Sequence, residues 1–238
     1  MTRNHFTSKF SRRTFLAVGT GAIAAGLSTN LLLPNQTVTA TPAPAVPRVS
    51  AEKALQLLME GNQRYVSHKL AHPHGDQKRL LEVAKGQHPF AIILGCADSR
   101  VSPELLFDQG LGDLFVVRVA GNILNDAVLG SIEYAAEHLA VPLVMVLGHE
   151  RCGAVSAAVD GGKVPSHIDS LVNAIQPAVA RVKGKPGDLL DNAVRANVQM
   201  VVEQMKVSEP IADLVSSKKL KIVGGRYDLD MGNVEIIA

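Results

Sequence analysis

The sequence predicts an α/β protein with a central parallel β-sheet, flanking helices, an N-terminal helical arm and a C-terminal hairpin-like edge. Three observations carry that prediction. From about residue 90 to 160, short apolar runs alternate with amphipathic stretches of helical period. The runs show no polar alternation, as expected of strands covered on both faces. The last twenty residues hold two further apolar runs around an Asp-Met-Gly turn. With 238 residues, 47% hydrophobic and 19% charged, the chain is long enough to bury a substantial core.

The first element is the arm. In "SAEKALQLLMEGNQRYVSHKL", Ser50 is placed to cap a helix carrying Ala54, Leu55, Leu57, Leu58 and Tyr65. "AHPHGDQKRLLEVAKGQHP" reads as a loop with a short helix. His68, His72 and His74 lie in or beside it without the spacing of an ordered metal cluster. "FAIILG" is the first strand, and Ser102 before Pro103 starts a helix with proline at its first position. "LFVVRVAG" is the second strand. The next segment, residues 125–140, has an apolar stripe of Val128, Ile132, Ala135, Ala136 and Leu139. "PLVMVLG" is the third strand, and "CGAVSAAVDG" opens another helix. This rhythm means right-handed crossovers within one parallel sheet. Residues 166–207 are helical with a break at Lys183–Asp188, before a strand, a turn at Asp230–Gly232 and a last strand.

The N-terminus belongs to another category. Residues 1–45 hold Arg3, Lys9, Arg12 and Arg13 and no acid, so the net charge of +2 arises there and the remainder is slightly acidic. A basic surface for nucleic acid is therefore excluded as the reading of that charge. "SRRTFL" precedes a Gly/Ala-rich apolar stretch and a Thr/Pro/Ala-rich linker, which resembles a twin-arginine export signal. The division is a signal and linker over 1–45 and one catalytic domain over 46–238. The apolar stretch contains Thr20, Ser28, Thr29 and Asn30 and is too interrupted for a stable membrane span after processing.

The chemistry concentrates where strands end. Ligands collect beyond the carboxyl ends of parallel strands. Cys96 follows the first strand, while His149 ends the third and Cys152 opens the next helix. If those strands are neighbours, the three converge as a Cys2His set, for which zinc is the natural ion, with one position left for water or substrate. The alternative is a Cys96–Cys152 disulfide in an exported, non-enzymatic protein, which leaves His149 unexplained. In "CADSR", Asp98 and Arg100 alternate on one side of an extended segment and can pair beside the metal.

These motifs carry a resemblance. "CADSR", "RVAGN" at residues 118–122 and "GHERCGA" at residues 148–154 resemble the β-class carbonic anhydrases over about residues 50–238. The resemblance implies one zinc per chain on Cys96, His149 and Cys152, and Asp98 with Arg100 as a catalytic dyad. It implies reversible hydration of carbon dioxide to bicarbonate and a proton, with either water or, in a closed state, Asp98 in the fourth position on the metal. The segment "AKGQHPFAIILGC", with Gln87 nine residues before Cys96, is similar to the plant-type subclass. That likeness implies a substrate pocket of Phe115, Ala120 and Tyr134, with the Gly153 N–H and a neighbouring subunit's Gln87 as polar contacts. A homodimer or higher homo-oligomer follows from it. Ala97 replaces the family's usual serine. Hydrolysis of carbonyl sulfide or carbon disulfide occurs on the same scaffold and is the alternative within the enzyme class.

Overall fold

Runs without polar alternation form the middle of the sheet. β1 (Ala91–Gly95) and β3 (Leu143–His149) are buried at every residue, as strands with helices on both faces must be. β2 (Leu114–Arg118) is only half-buried because it forms an edge. The computed structural model describes residues 49–238, so the export-signal reading over residues 1–45 lies outside the described residues. The strand order is β2-β1-β3-β4-β5, with β4 spanning Lys221–Tyr227 and β5 Val234–Ile236. The first four strands are parallel; β5 returns antiparallel to β4. The predicted final turn is present: Asp228 Oδ1 accepts the Asp230 and Met231 N–H groups, and Gly232 takes φ +76°.

The helices begin where the chain supplies caps. α1 (Ala51–Val66) starts at Ser50, whose side chain accepts the Lys53 N–H. This predicted arm packs on its own chain, burying Ala54 and Leu58 beside β3 residues. Its buried Asn62 donates to the carbonyls of Leu106 and Gly232 and accepts the Val234 N–H, stitching α1 to the β4–β5 turn. α2 (Gln77–Val83) and α3 (Pro103–Leu106) are short. α4 (Asp126–Glu137) is capped by Asn125 and buries the expected Val128, Ile132, Ala135 and Ala136. α5 (Gly153–Asp160), α6 (Ile168–Val182) and α7 (Leu189–Met205) follow, with the predicted break between the last two. α8 (Glu209–Ser216) is an addition to the predicted elements; its Pro210 lies in the first turn, where no N–H donor is missed.

α7 crosses β3 and β4 at close range because both strands offer glycine there. A Cβ on Gly148 or Gly224 would lie 2.5 or 2.6 Å from the Val198 methyls. The three histidines of the early loop take positive φ and form no metal cluster among the described residues. Asp108 accepts the Ala71 and His72 N–H groups, and the Asp113 carboxylate holds His74 Nδ1 at 2.7 Å. Among the described residues, no helix is long and apolar enough to cross a membrane.

Candidate active site

β1 and β3 are hydrogen-bonded neighbours, with Gly95 paired to Leu147. That register sets Cys96, one residue past β1, beside the Gly148–His149 end of β3. The ligand atoms of Cys96, His149 and Cys152 all lie within 4.8 Å of one another, and all three residues are buried. Both thiols are free and their sulfurs are 4.0 Å apart, so the disulfide alternative is not the arrangement adopted. Two sulfurs each ~2.3 Å from a tetrahedral zinc stand ~3.8 Å apart, so the spacing fits that ion.

The imidazole is oriented for the same purpose. His149 Nδ1 lies 2.9 Å from the Glu150 carbonyl, which can only accept, so the proton is on Nδ1. The Nε2 lone pair then faces the cluster, buried and without a hydrogen-bond partner among the described residues. A buried acceptor left unpaired is costly unless something meets it, and a metal ion would do so.

The thiols behave as one unit. The hydrogen bond shared with Cys152 is the main influence drawing Cys96 down to about 4, against the effect of burial, with the Gly121 N–H assisting. The same bond and burial push Cys152 up. The pair thus carries one negative charge readily, and a second thiolate calls for a cation.

Asp98 stands at the rim. Its Oδ1 accepts the Arg100 N–H at 2.9 Å and Nε–H at 3.0 Å, and its Oδ2 accepts from Arg100 Nη2 at 2.7 Å. The guanidinium holds this carboxyl well below the usual carboxylate range. Asp98 Oδ2 also lies 3.7 Å from His149 Nε2, facing the cluster.

A sequence model of the carbonic anhydrase family matches residues 91–234. Carbonic anhydrase 2 of Mycobacterium tuberculosis is 41% identical over 79% of this chain and 93% of its own length. The carbonic anhydrase of Mycolicibacterium smegmatis is 40% identical over 80% of this chain and 95% of its own. The solved β-carbonic anhydrase of Coccomyxa, in complex with acetazolamide, superposes with a TM-score of 0.63 at 28% identity, covering 77% of this chain and 86% of that one.

The chain belongs to the β-carbonic anhydrase family.

As a carbonic anhydrase, the protein is an enzyme, and its predicted site residues fall into three groups. Cys96, Asp98, Arg100, His149 and Cys152 come together, as described. Ala120 and Gly153 flank them: Ala120 opens the 3₁₀ turn Ala120–Asn122, whose Gly121 N–H donates to Cys96 Sγ at 3.2 Å, and Gly153 begins α5 directly after Cys152. Among the described residues, nothing beyond its own helix and chain neighbours lies within 4 Å of where a Gly153 side chain would begin, and a first-turn N–H has no partner within its helix.

Phe115 and Tyr134 form the second group. Their rings lie 6.4 Å apart at the β2 edge, with Tyr134 still 48% exposed and its other side toward His138 at 5.4 Å. Gln87 stands alone, exposed on the loop before β1. β1 alone spans ~13 Å between that loop and Cys96, so Gln87 sits at the opposite end of the strand from its own cluster. A cavity of about 1020 Å³ also lies away from the cluster, among Val49, Ala140, Pro142, Lys206 and Lys221.

No role was predicted for Arg118, which also borders the cluster. Arg118 Nε donates to the Cys96 carbonyl at 2.9 Å and Nη2 to the Asp98 carbonyl at 2.6 Å, clamping the loop that carries a thiolate and a carboxylate. Its place in "RVAGN" is visible in the sequence; its backbone partners, some twenty residues upstream, are not.

Proposed function

We propose that this enzyme catalyses the zinc-dependent, reversible hydration of carbon dioxide to bicarbonate and a proton. The observation that carries the reading is the convergence of Cys96, His149 and Cys152, with an unpartnered buried nitrogen, beside an ionised Asp98. Zinc held by those three residues supplies a Lewis acid that makes water acidic near neutral pH.

The chain's own groups do the rest. Asp98 Oδ2 accepts a hydrogen bond from the attacking water and aims its lone pair at the carbon. Arg100 keeps Asp98 ionised and occupies both its oxygens, which favours water over Asp98 as fourth partner of the metal. Phe115, Ala120 and Tyr134 supply apolar surface for an apolar substrate. The Gly153 N–H and Gln87 of the partner subunit offer donors to the charge developing on oxygen.

The assembly is a homodimer or larger homo-oligomer of plant-type character. Three observations support it: Gln87 is remote from its own cluster, β2 is an edge strand among the described residues, and the aromatic pair stands half-open on it. The twin-arginine-like leader directs the protein to the periplasm or an equivalent compartment. Replacing Arg12 and Arg13 with lysine is expected to retain the protein in the cytoplasm on cell fractionation.

Stopped-flow hydration of carbon dioxide together with zinc content tests the reading. The purified enzyme should hold one zinc per chain and hydrate carbon dioxide, and Cys96→Ala should lose both. Full hydration activity in metal-free protein would refute it. Faster turnover of carbonyl sulfide or carbon disulfide would move the substrate assignment to those gases.

A further inference from the structure

We propose that Asn197, in the middle of α7, is a positioning residue for the Cys96 thiolate, acting through Gly121. The inference rests on the reading of Cys96 as a metal ligand. Gly121 is held from both sides: its N–H donates to Cys96 Sγ at 3.2 Å, and its carbonyl accepts from Asn197 Nδ2 at 2.8 Å. The residue has no freedom to change identity. It takes φ +70°, and a Cβ would lie 2.7 Å from Ile175 Cδ1 and 3.2 Å from Ala154 Cβ.

The amide on α7 has no other use. Asn197 is 1% exposed, and its Oδ1 finds no hydrogen-bond partner among the described residues. An unpaired buried polar atom is unfavourable, so this side chain is kept at the expense of its Oδ1 for what its Nδ2 holds. Among the described residues, the one hydrogen bond the side chain makes is the one to Gly121.

The next residue packs the same helix on the sheet. Val198 seats against Gly148 of β3 and Gly224 of β4 at distances that admit no side chain on either glycine. β3 ends in His149, so α7 is keyed to the strand that delivers one ligand, while Asn197 fixes the donor to another. An N–H···S bond draws electron density from a thiolate. A bond of fixed direction also holds the sulfur lone pairs toward the metal position, as groups behind a ligand do. Asn197 thereby sets both the direction and the strength of that bond.

The test uses full-length protein loaded with zinc or cobalt(II), comparing Asn197→Leu, Asn197→Ala and Val198→Ala. The last removes packing from the same helix without touching the Gly121 carbonyl. Both Asn197 variants are expected to bind zinc 10–100-fold more weakly in chelator competition, the usual range for groups behind a metal ligand. Their sulfur-to-cobalt charge-transfer band should also shift. Val198→Ala should unfold at lower urea yet keep the wild-type band and affinity. Wild-type band and affinity in Asn197→Leu would overturn the proposal, as would equal shifts in Val198→Ala. Failure of both Asn197 variants to fold, beside a folded Val198→Ala, would assign Asn197 to stability and overturn it too. A wild-type protein that takes up no metal would instead sink the metal reading, and this inference with it.

Discussion

Arg118 shows how a single side chain shapes the centre without touching the proposed metal. Its two bonds fix the carbonyls on either side of Ala97, so the Cys96 sulfur and the Asp98 carboxylate keep a common frame. Arg118→Ala is expected to weaken zinc binding 10–100-fold in chelator competition while leaving the fold intact by circular dichroism. The candidate ligands and the carboxylate beside them were legible in the sequence, because a thiol, an imidazole and a carboxylate advertise their chemistry. Arg118 and Asn197 were not, because each acts on backbone atoms of residues distant in sequence. A lone Asn within an amphipathic stretch looks like an ordinary helix residue until its neighbour across the turn is known.

At the level of elements, the molecule depends on close approaches and on buried polar stitches. Asn62→Leu removes the partners of two carbonyls and one N–H between α1, α3 and the β4–β5 turn. About 3 kcal/mol should be lost in urea unfolding, since those groups remain buried and unpaired. Gly148→Ala drives a methyl to 2.5 Å from Val198 Cγ2 and should destabilise by about 1–3 kcal/mol. Asp191, in the first turn of α7, accepts from Arg195 and from Arg226 of β4. Burial alone would raise its pKa, but the two guanidinium bonds outweigh it and lower it. A depressed carboxyl contributes stability that is complete above its unfolded value near ~4 and is lost as pH falls through the folded value. Asp191→Asn should therefore flatten the acid limb of the urea midpoint below about pH 4. Most elements could be read from apolar runs and caps. α8 could not, because its few apolar positions make too short a stripe to stand out.

For the whole molecule, the decisive question is how many chains make one site. Oligomers mixed from Cys96→Ala and Gln87→Ala subunits should recover hydration that neither variant shows alone. In such a pair, the Gln87→Ala chain keeps its ligands and borrows Gln87 of the partner subunit; absence of recovery would place Gln87 outside the reaction. The sequence by itself determined the fold class, because hydrophobic period and caps are local properties. It also supplied the three candidate ligands and the proposed dyad, because their chemistry lies in the side chains themselves. Only the tertiary structure decided that β1 and β3 are neighbours, bringing Cys96 to His149 across some fifty residues of chain. It alone showed two free thiols 4.0 Å apart, and it alone revealed the support behind them: Arg118 on the loop carbonyls and Asn197 behind Gly121. The physical reason is that strand order and helix seating are set by how buried surfaces fit together, and no local run of residues records that fit.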